Sequence, residues 1–194
     1  MAIRIVLARH GATEWSEAGR HTGRTDLPLT ALGIGQAERL GKALAKDTYA
    51  RVFTSPLARA AETARLAGFS GAGIETSDLL LEMNYGLDEG RTRKDIRAER
   101  PGWDVFLVGP KGGETAADVA ARAQRFLDLV EPIDGAVLLF AHGHLIRTLT
   151  ATWLRCAPEF AGHLELGPAS ISILGYNHEH RSLQRWNDRS HLED

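Results

Sequence analysis

The stretch Ile3-Arg4-Ile5-Val6-Leu7-Ala8-Arg9-His10-Gly11 decides the fold. It is an apolar run of strand length, rich in β-branched residues, and it stops abruptly at Arg-His-Gly. In an open α/β sheet, ligands collect just beyond the carboxyl ends of the strands, which places Arg9 and His10 against a ligand. A second copy lies far downstream: Ala136-Val137-Leu138-Leu139-Phe140-Ala141, followed by His142-Gly143-His144. Two buried strands, each delivering a histidine and a glycine to its end, read as halves of one site.

Outward from these strands, residues 11–29 carry Gly, Thr, Ser, Asp and Pro at loop density. Thr30 is placed to cap a helix from Ala31, with Ala37, Leu40 and Leu44 on one face. Arg51-Val52-Phe53-Thr54 reads as a second strand. Ser55-Pro56 after it reads as a hydroxyl N-cap with proline at the first helical position, opening a helix over 57–67 that Gly68 ends. Residues 74–76 form a weak third strand leading into Leu79-Leu80-Leu81-Glu82. Residues 83–113 are charged and glycine-rich and read as an irregular insertion over the site, with one helix at 93–99. Glu114 and Thr115 open a long amphipathic helix to about Val130, residues 132–135 break it, and a helix over 144–155 follows the second histidine strand. Residues 170–176 and 181–186 pattern as a terminal hairpin. Strands alternating with helices give an α/β fold, a three-layer αβα sandwich around a mainly parallel mixed sheet, with 1–194 as a single domain.

The 194 residues suffice for one sizeable core, and 43% apolar with 25% charged residues is ordinary for a globular chain. A net charge of −2 supplies no general attraction to nucleic acid or to anionic membranes. The single cysteine, Cys156, excludes an internal disulfide framework and reads as a small residue packed late in a helix. No signal-peptide pattern and no bilayer-length apolar run occurs, so the expected location is cytoplasmic. A homodimer is left open.

Arg9, at the end of the first strand, and Arg59, in the first turn of the helix after Ser55-Pro56, supply guanidinium forks that match phosphate oxygens. An imidazole lodged among them is disfavoured as a cation, stays neutral and keeps a nucleophilic lone pair. Such a histidine can attack phosphorus while the guanidiniums and the second histidine hold the equatorial oxygens. The leaving alkoxide needs a proton. Glu82, at the end of an apolar run, is the candidate acid, its pKa expected to be raised by those surroundings. Neutral imidazoles among arginines make a poor cation site, so no metal is expected.

The residues that carry this chemistry carry a resemblance as well. Arg9-His10-Gly11-Ala12-Thr13-Glu14-Trp15 resembles the opening motif of the histidine phosphatase superfamily, the phosphoglycerate-mutase-like group. Matches follow in the family's order at Thr22-Gly23, at Asp26-Leu27-Pro28-Leu29-Thr30, and from Thr54-Ser55-Pro56 through Arg59 to Ala64. They continue at Leu80-Leu81-Glu82, Glu89-Gly90, Gly113-Glu114-Thr115 and Ala141-His142-Gly143-His144. The resemblance implies that His10 is phosphorylated, that Arg9, Arg59 and His142 complete the phosphate pocket, and that Glu82 donates the proton. It puts Thr13, Ser16, Thr22, Gly23 and Gly143 on the substrate side and implies neither a metal nor an organic cofactor. Tyr85 either lines the pocket or packs the insertion, and His144 either touches substrate or bonds locally. Asp88, where family phosphatases often carry tryptophan, and His144, where mutases usually carry asparagine, depart from the pattern.

The expected function is a phosphomonoesterase acting on small phosphorylated metabolites such as sugar phosphates, with inorganic phosphate as product. A cofactor-dependent phosphoglycerate mutase is the alternative. It is disfavoured by the short interval of about 60 residues between Glu82 and His142, which lacks an arginine pair, and by Glu89 where mutases carry glutamine. A phospho-binding domain without turnover is the third reading; its mark, a missing nucleophile or acid, is absent. The cluster Arg91, Arg93, Lys94, Arg97 and Arg100 alternates with acids and reads as a solvated helix face before a second anion site. His178, His180 and His191 are expected to face solvent.

Overall fold

The computed structural model describes residues 3–193. Its centre is the pair β1 (Arg4–Arg9) and β4 (Ala136–Ala141), parallel and hydrogen-bonded to each other. With β2 (Arg51–Thr54), β3 (Ile74–Thr76), β5 (Ile171–Asn177) and β6 (His180–Asp188) they form one six-stranded sheet in the order β3-β2-β4-β1-β5-β6. β1 to β4 run parallel; β5 joins β1 antiparallel and carries β6 as a hairpin partner. This is the α/β architecture that the alternating pattern implies.

Successive strand residues point to opposite faces, and both faces are covered, so the central strands are apolar throughout. Ile5, Leu7, Phe53, Val137 and Leu139 pack on one side against α5 (Ala116–Val130) and α6 (Gly143–Trp153). Val6, Ala8, Val52, Leu138 and Phe140 pack on the other against α2 (Ala31–Leu44) and α3 (Ala58–Leu66). Thr30 caps α2, and Thr115 with Asp118 makes a capping box for α5. No helix among the described residues is long and apolar enough to cross a membrane.

Several local expectations shift. Residues 11–29 hold one short helix, α1 (Glu14–Glu17). The N-cap of α3 is Leu57, not Ser55, and Leu57 has no side-chain cap bond. The carboxylate of Asp26, 32 residues upstream, accepts the Ala58 N–H at 2.8 Å instead. Residues 83–113 contain α4 (Arg93–Glu99), as read, yet they also bury Tyr85, Ile96, Trp103 and Phe106 in the main core. Leu79 and Leu80 close a 3-10 turn, so Glu82 follows an irregular stretch rather than a strand. Cys156 lies beyond α6 and is exposed. His191 is half-buried, with Nε2 bonded to the Ala169 carbonyl at 2.9 Å.

Candidate active site

Because Arg9 pairs with Ala141 across the sheet, the next residue of each strand leaves the sheet at the same level. Those residues are His10 and His142, and their ring centroids lie 5.2 Å apart. The His10 Nδ1 sits 2.7 Å from the Gly11 carbonyl oxygen, which fixes Nδ1 as the protonated nitrogen and leaves Nε2 with its lone pair. Burial first, then the charges of Arg9 and Arg59, press the His10 pKa down to about 3. The imidazole is therefore neutral over the whole working range.

The turn carrying His10 is held by contacts that only glycine permits. A Cβ on Gly11 would lie 2.4 Å from the Gly33 carbonyl oxygen, and one on Gly33 would lie 2.1 Å from that of Ala12. The turn thus rests directly on the N-terminal end of α2. Its amides are taken by side chains: Gly11 N donates to Thr63 Oγ1 at 3.1 Å and Ala12 N to Gln36 Oε1 at 2.9 Å.

Arg59 and His142 are fully buried behind His10. Arg59 Nε donates to His142 Nδ1 at 3.2 Å, so His142 carries its proton on Nε2, which faces Ser55 Oγ at 2.8 Å. The two terminal nitrogens of Arg59 donate to the carbonyls of Thr22, Gly23 and Thr25. The sequence assigns these two side chains to phosphate oxygens; here their polar atoms face protein. Glu89 sets the same loop from the opposite side, its Oε1 accepting from Gly23 N at 2.8 Å and Thr25 N at 3.0 Å. Arg9 reaches the Leu166 carbonyl through Nη1, while its buried Nε has no hydrogen-bond partner among the described residues. Burial lowers the Arg9 pKa to about 10, which still leaves the guanidinium charged at neutral pH.

Glu82 differs from its sequence reading. Burial on its own raises a carboxyl pKa, but the His144 side chain and backbone amides outweigh it, and the pKa falls well below the usual value. Met83 N, His144 N and Leu145 N donate to its oxygens at 2.8, 3.0 and 2.9 Å. The last two amides are exposed at the N-terminal end of α6, where a carboxylate is favoured as an anion. Arg122 of α5 clamps the segment below it, donating to the Leu79 and Leu81 carbonyls at 2.9 and 2.7 Å.

A cavity opens over His10, walled by Arg9, Ser16, Arg20, His21, Thr22, Glu82, Tyr85, Gly143, His144 and Arg147 among others. Of the substrate-side residues taken from the sequence, Ser16, Thr22, Tyr85, Gly143 and His144 line it. Thr13 does not: it is buried and caps α1. Gly23 does not either, since it packs against Glu89 and Tyr85 and gives its carbonyl to Arg59. Tyr85 does both, buried in the core with the 83–113 segment and lining the cavity, with its hydroxyl 2.6 Å from His144 Nδ1 and its pKa raised well above the usual value, chiefly by burial. The arginines of residues 91–100 are occupied: Arg91 and Arg100 pair with Asp88, and Arg93 pairs with Asp104. Among the described residues no group of three or more His, Cys, Asp or Glu is disposed to hold a metal.

Sequence reasoning passed over Ser55, Thr63, His21 and Arg147. Arg147 had a signal, since it sits three residues after His144 on one helix face. His21 had none, because a single histidine in a loop has no spacing to betray it.

The model of the histidine phosphatase superfamily (branch 1) matches residues 5–189. An acid phosphatase of Mycobacterium tuberculosis is 38% identical over 186 residues, covering 93% of this chain and 90% of that one. A sedoheptulose 1,7-bisphosphatase of Saccharomyces cerevisiae is 31% identical over 182 residues, with 77% and 67% covered. The solved structure of an open reading frame of M. tuberculosis superposes with a TM-score of 0.90 at 37% identity, covering 95% of this chain and 96% of that one. The chain belongs to the histidine phosphatase superfamily.

Proposed function

We propose that this member of the histidine phosphatase superfamily is a phosphomonoesterase that hydrolyses small phosphorylated metabolites through a phosphohistidine on His10. The observation that carries the reading is a neutral His10, its Nδ1 proton given to Gly11, at the floor of a cavity beside the Arg9 guanidinium. The phosphatases among its relatives support the same class of reaction.

The Nε2 lone pair of His10 attacks phosphorus, and the bond from phosphorus to the ester oxygen breaks. Arg9, with an unpartnered Nε, holds a nonbridging oxygen. Arg59 joins it by exchanging the loop carbonyls for phosphate oxygens, and His142 offers its Nε2–H. Glu82 is anionic in the free site. An arriving phosphate dianion raises its pKa, so the carboxyl takes up a proton and passes it to the leaving oxygen. The carboxylate then removes a proton from water as the new oxygen–phosphorus bond forms and the bond from nitrogen to phosphorus breaks. Phosphate and neutral His10 are released.

Quenching the enzyme in denaturant after mixing with a radiolabelled phosphomonoester is expected to trap an acid-labile, base-stable label on the wild type and none on His10→Ala. Label retained by His10→Ala overturns the assignment of the nucleophile. Conversion of 3- to 2-phosphoglycerate without release of phosphate overturns the hydrolase reading in favour of a mutase.

A further inference from the structure

A second cavity of about 200 Å³ adjoins the one over His10 as a further lobe of the same cleft region, and His21, His144 and Arg147 line both. Trp103, Phe106 and the Arg93–Asp104 ion pair close the far side. Two nitrogens at the junction have no hydrogen-bond partner among the described residues. His21 Nε2 is buried and unbonded, with the ring wedged 4.8 Å from that of Tyr85 and 5.3 Å from that of Trp103. Arg147 spends Nε on the Ala161 carbonyl at 2.9 Å and Nη2 on that of Gly162 at 3.3 Å, which leaves Nη1 free. Its guanidinium lies 4.6 Å from the centre of the Phe106 ring.

This arginine is held by two carbonyls and an aromatic face, and although Glu82, Asp104 and Glu165 favour its charge from a distance, no carboxylate among the described residues bonds to it. The acid across the lobe, Asp104, is taken by Arg93 at 2.9 Å and by the Phe106 amide at 3.0 Å. Burial presses the Arg147 pKa down, and an anion placed opposite reverses that effect. A guanidinium fixed by two carbonyls and an aromatic face, with one donor edge open, is preorganised for an anionic oxygen.

We propose that the second lobe is a leaving-group subsite that selects compact phosphomonoesters bearing a second anionic group, a carboxylate or another phosphate, through Arg147 Nη1, with the unpartnered Nε2 of His21 beside it. The proposal rests on the phosphomonoesterase reading above. Phosphate sits over His10, and the rest of the substrate reaches past His144 into the lobe. Trp103 and Phe106 limit its length, so a long chain or a bulky base is excluded.

The test measures phosphate release from three esters built on the same three-carbon chain: glycerol 1-phosphate, 3-phosphoglycerate and propane-1,3-diol bisphosphate. The wild type is expected to favour at least one anionic ester over glycerol 1-phosphate by about tenfold or more in kcat/KM, the range of one charge-assisted contact. Whichever anionic ester leads identifies the group. Arg147→Met is expected to bring that ratio close to one. If Arg147→Met does not fold, His21→Leu provides the second reading and should lower the ratio by a few-fold. A wild-type ratio near one overturns the proposal, and so does an equal fall for all three esters in Arg147→Met. Turnover of p-nitrophenyl phosphate with a ratio of one sinks the subsite alone. No release from any ester, p-nitrophenyl phosphate included, sinks the phosphatase reading with it.

Discussion

The floor beneath His10 and the wall made by His21, Tyr85, His144 and Arg147 satisfy their polar atoms differently. On the floor, His142 has both ring nitrogens engaged, Arg59 has every nitrogen engaged, and Glu82 accepts three backbone amides. On the wall, His21 Nε2 and Arg147 Nη1 have no hydrogen-bond partner among the described residues, although the groups around them are closely packed. Bonds on the floor hold each group in place before any substrate arrives, and in the proposed reaction Arg59, His142 and Glu82 exchange those partners for the phosphate and its proton. Open nitrogens on the wall leave interactions that only a substrate completes. On the proposed reading, the difference separates the groups that would carry phosphoryl transfer from a surface that would discriminate between leaving groups.

The comparison breaks if floor variants alter preference rather than rate. His10→Ala is expected to lower kcat by about 10⁴-fold or more for every ester alike, as for other covalent nucleophiles. A loss confined to some esters, read from parallel phosphate-release assays, would merge floor and wall. Glu82→Gln should cost about 10²- to 10⁴-fold on alkyl phosphates and far less on p-nitrophenyl phosphate, whose leaving group needs no proton. Equal losses on both remove Glu82 as the acid.

Protonation sharpens the contrast. His10 and His21 both titrate below their ordinary 6.5, at about 3 and about 4, with burial the first cause in each. Between those values and 6.5 the unfolded chain binds more protons than the folded one, so stability is fullest above pH 6.5 and falls as the pH drops through the window. The slope is at most about 1.4 kcal/mol per pH unit for each histidine. Urea unfolding at pH 7, 6 and 5 should give a falling series, shallower by about one proton in His10→Gln. An unchanged slope in that variant would place the cost elsewhere. The smallest expected effect concerns the loop beneath the wall. Asp26→Ala removes the cap of α3 and should cost about 1 kcal/mol, a Tm lower by about 2–4 °C. No change in a thermal melt would show that water replaces the cap.

Much of this was readable without coordinates. The apolar runs ending at His10 and His142 declare two central strands, and a parallel register brings their ends together. The helices α2, α4 and α5 begin where Thr30, Thr92 and Thr115 stand as hydroxyl caps. What was misplaced depended on partners both remote and local. Ser55 was read as a local cap yet faces His142, 87 residues away. Thr13 was given to substrate yet closes its own helix, because its neighbour Ser16 completes a capping box.

The sequence by itself determined the strand pair, the layering and which histidine, arginine and carboxylate types gather at the strand ends, because periodicity and capping act over a few consecutive residues. Only the tertiary structure decided that Glu82 is an anion, that Arg59 is occupied by loop carbonyls, and that His21 and Arg147 stand open beside a second lobe. The charge and hydrogen bonding of a buried group depend on atoms supplied by remote segments, and no local pattern records which ones arrive.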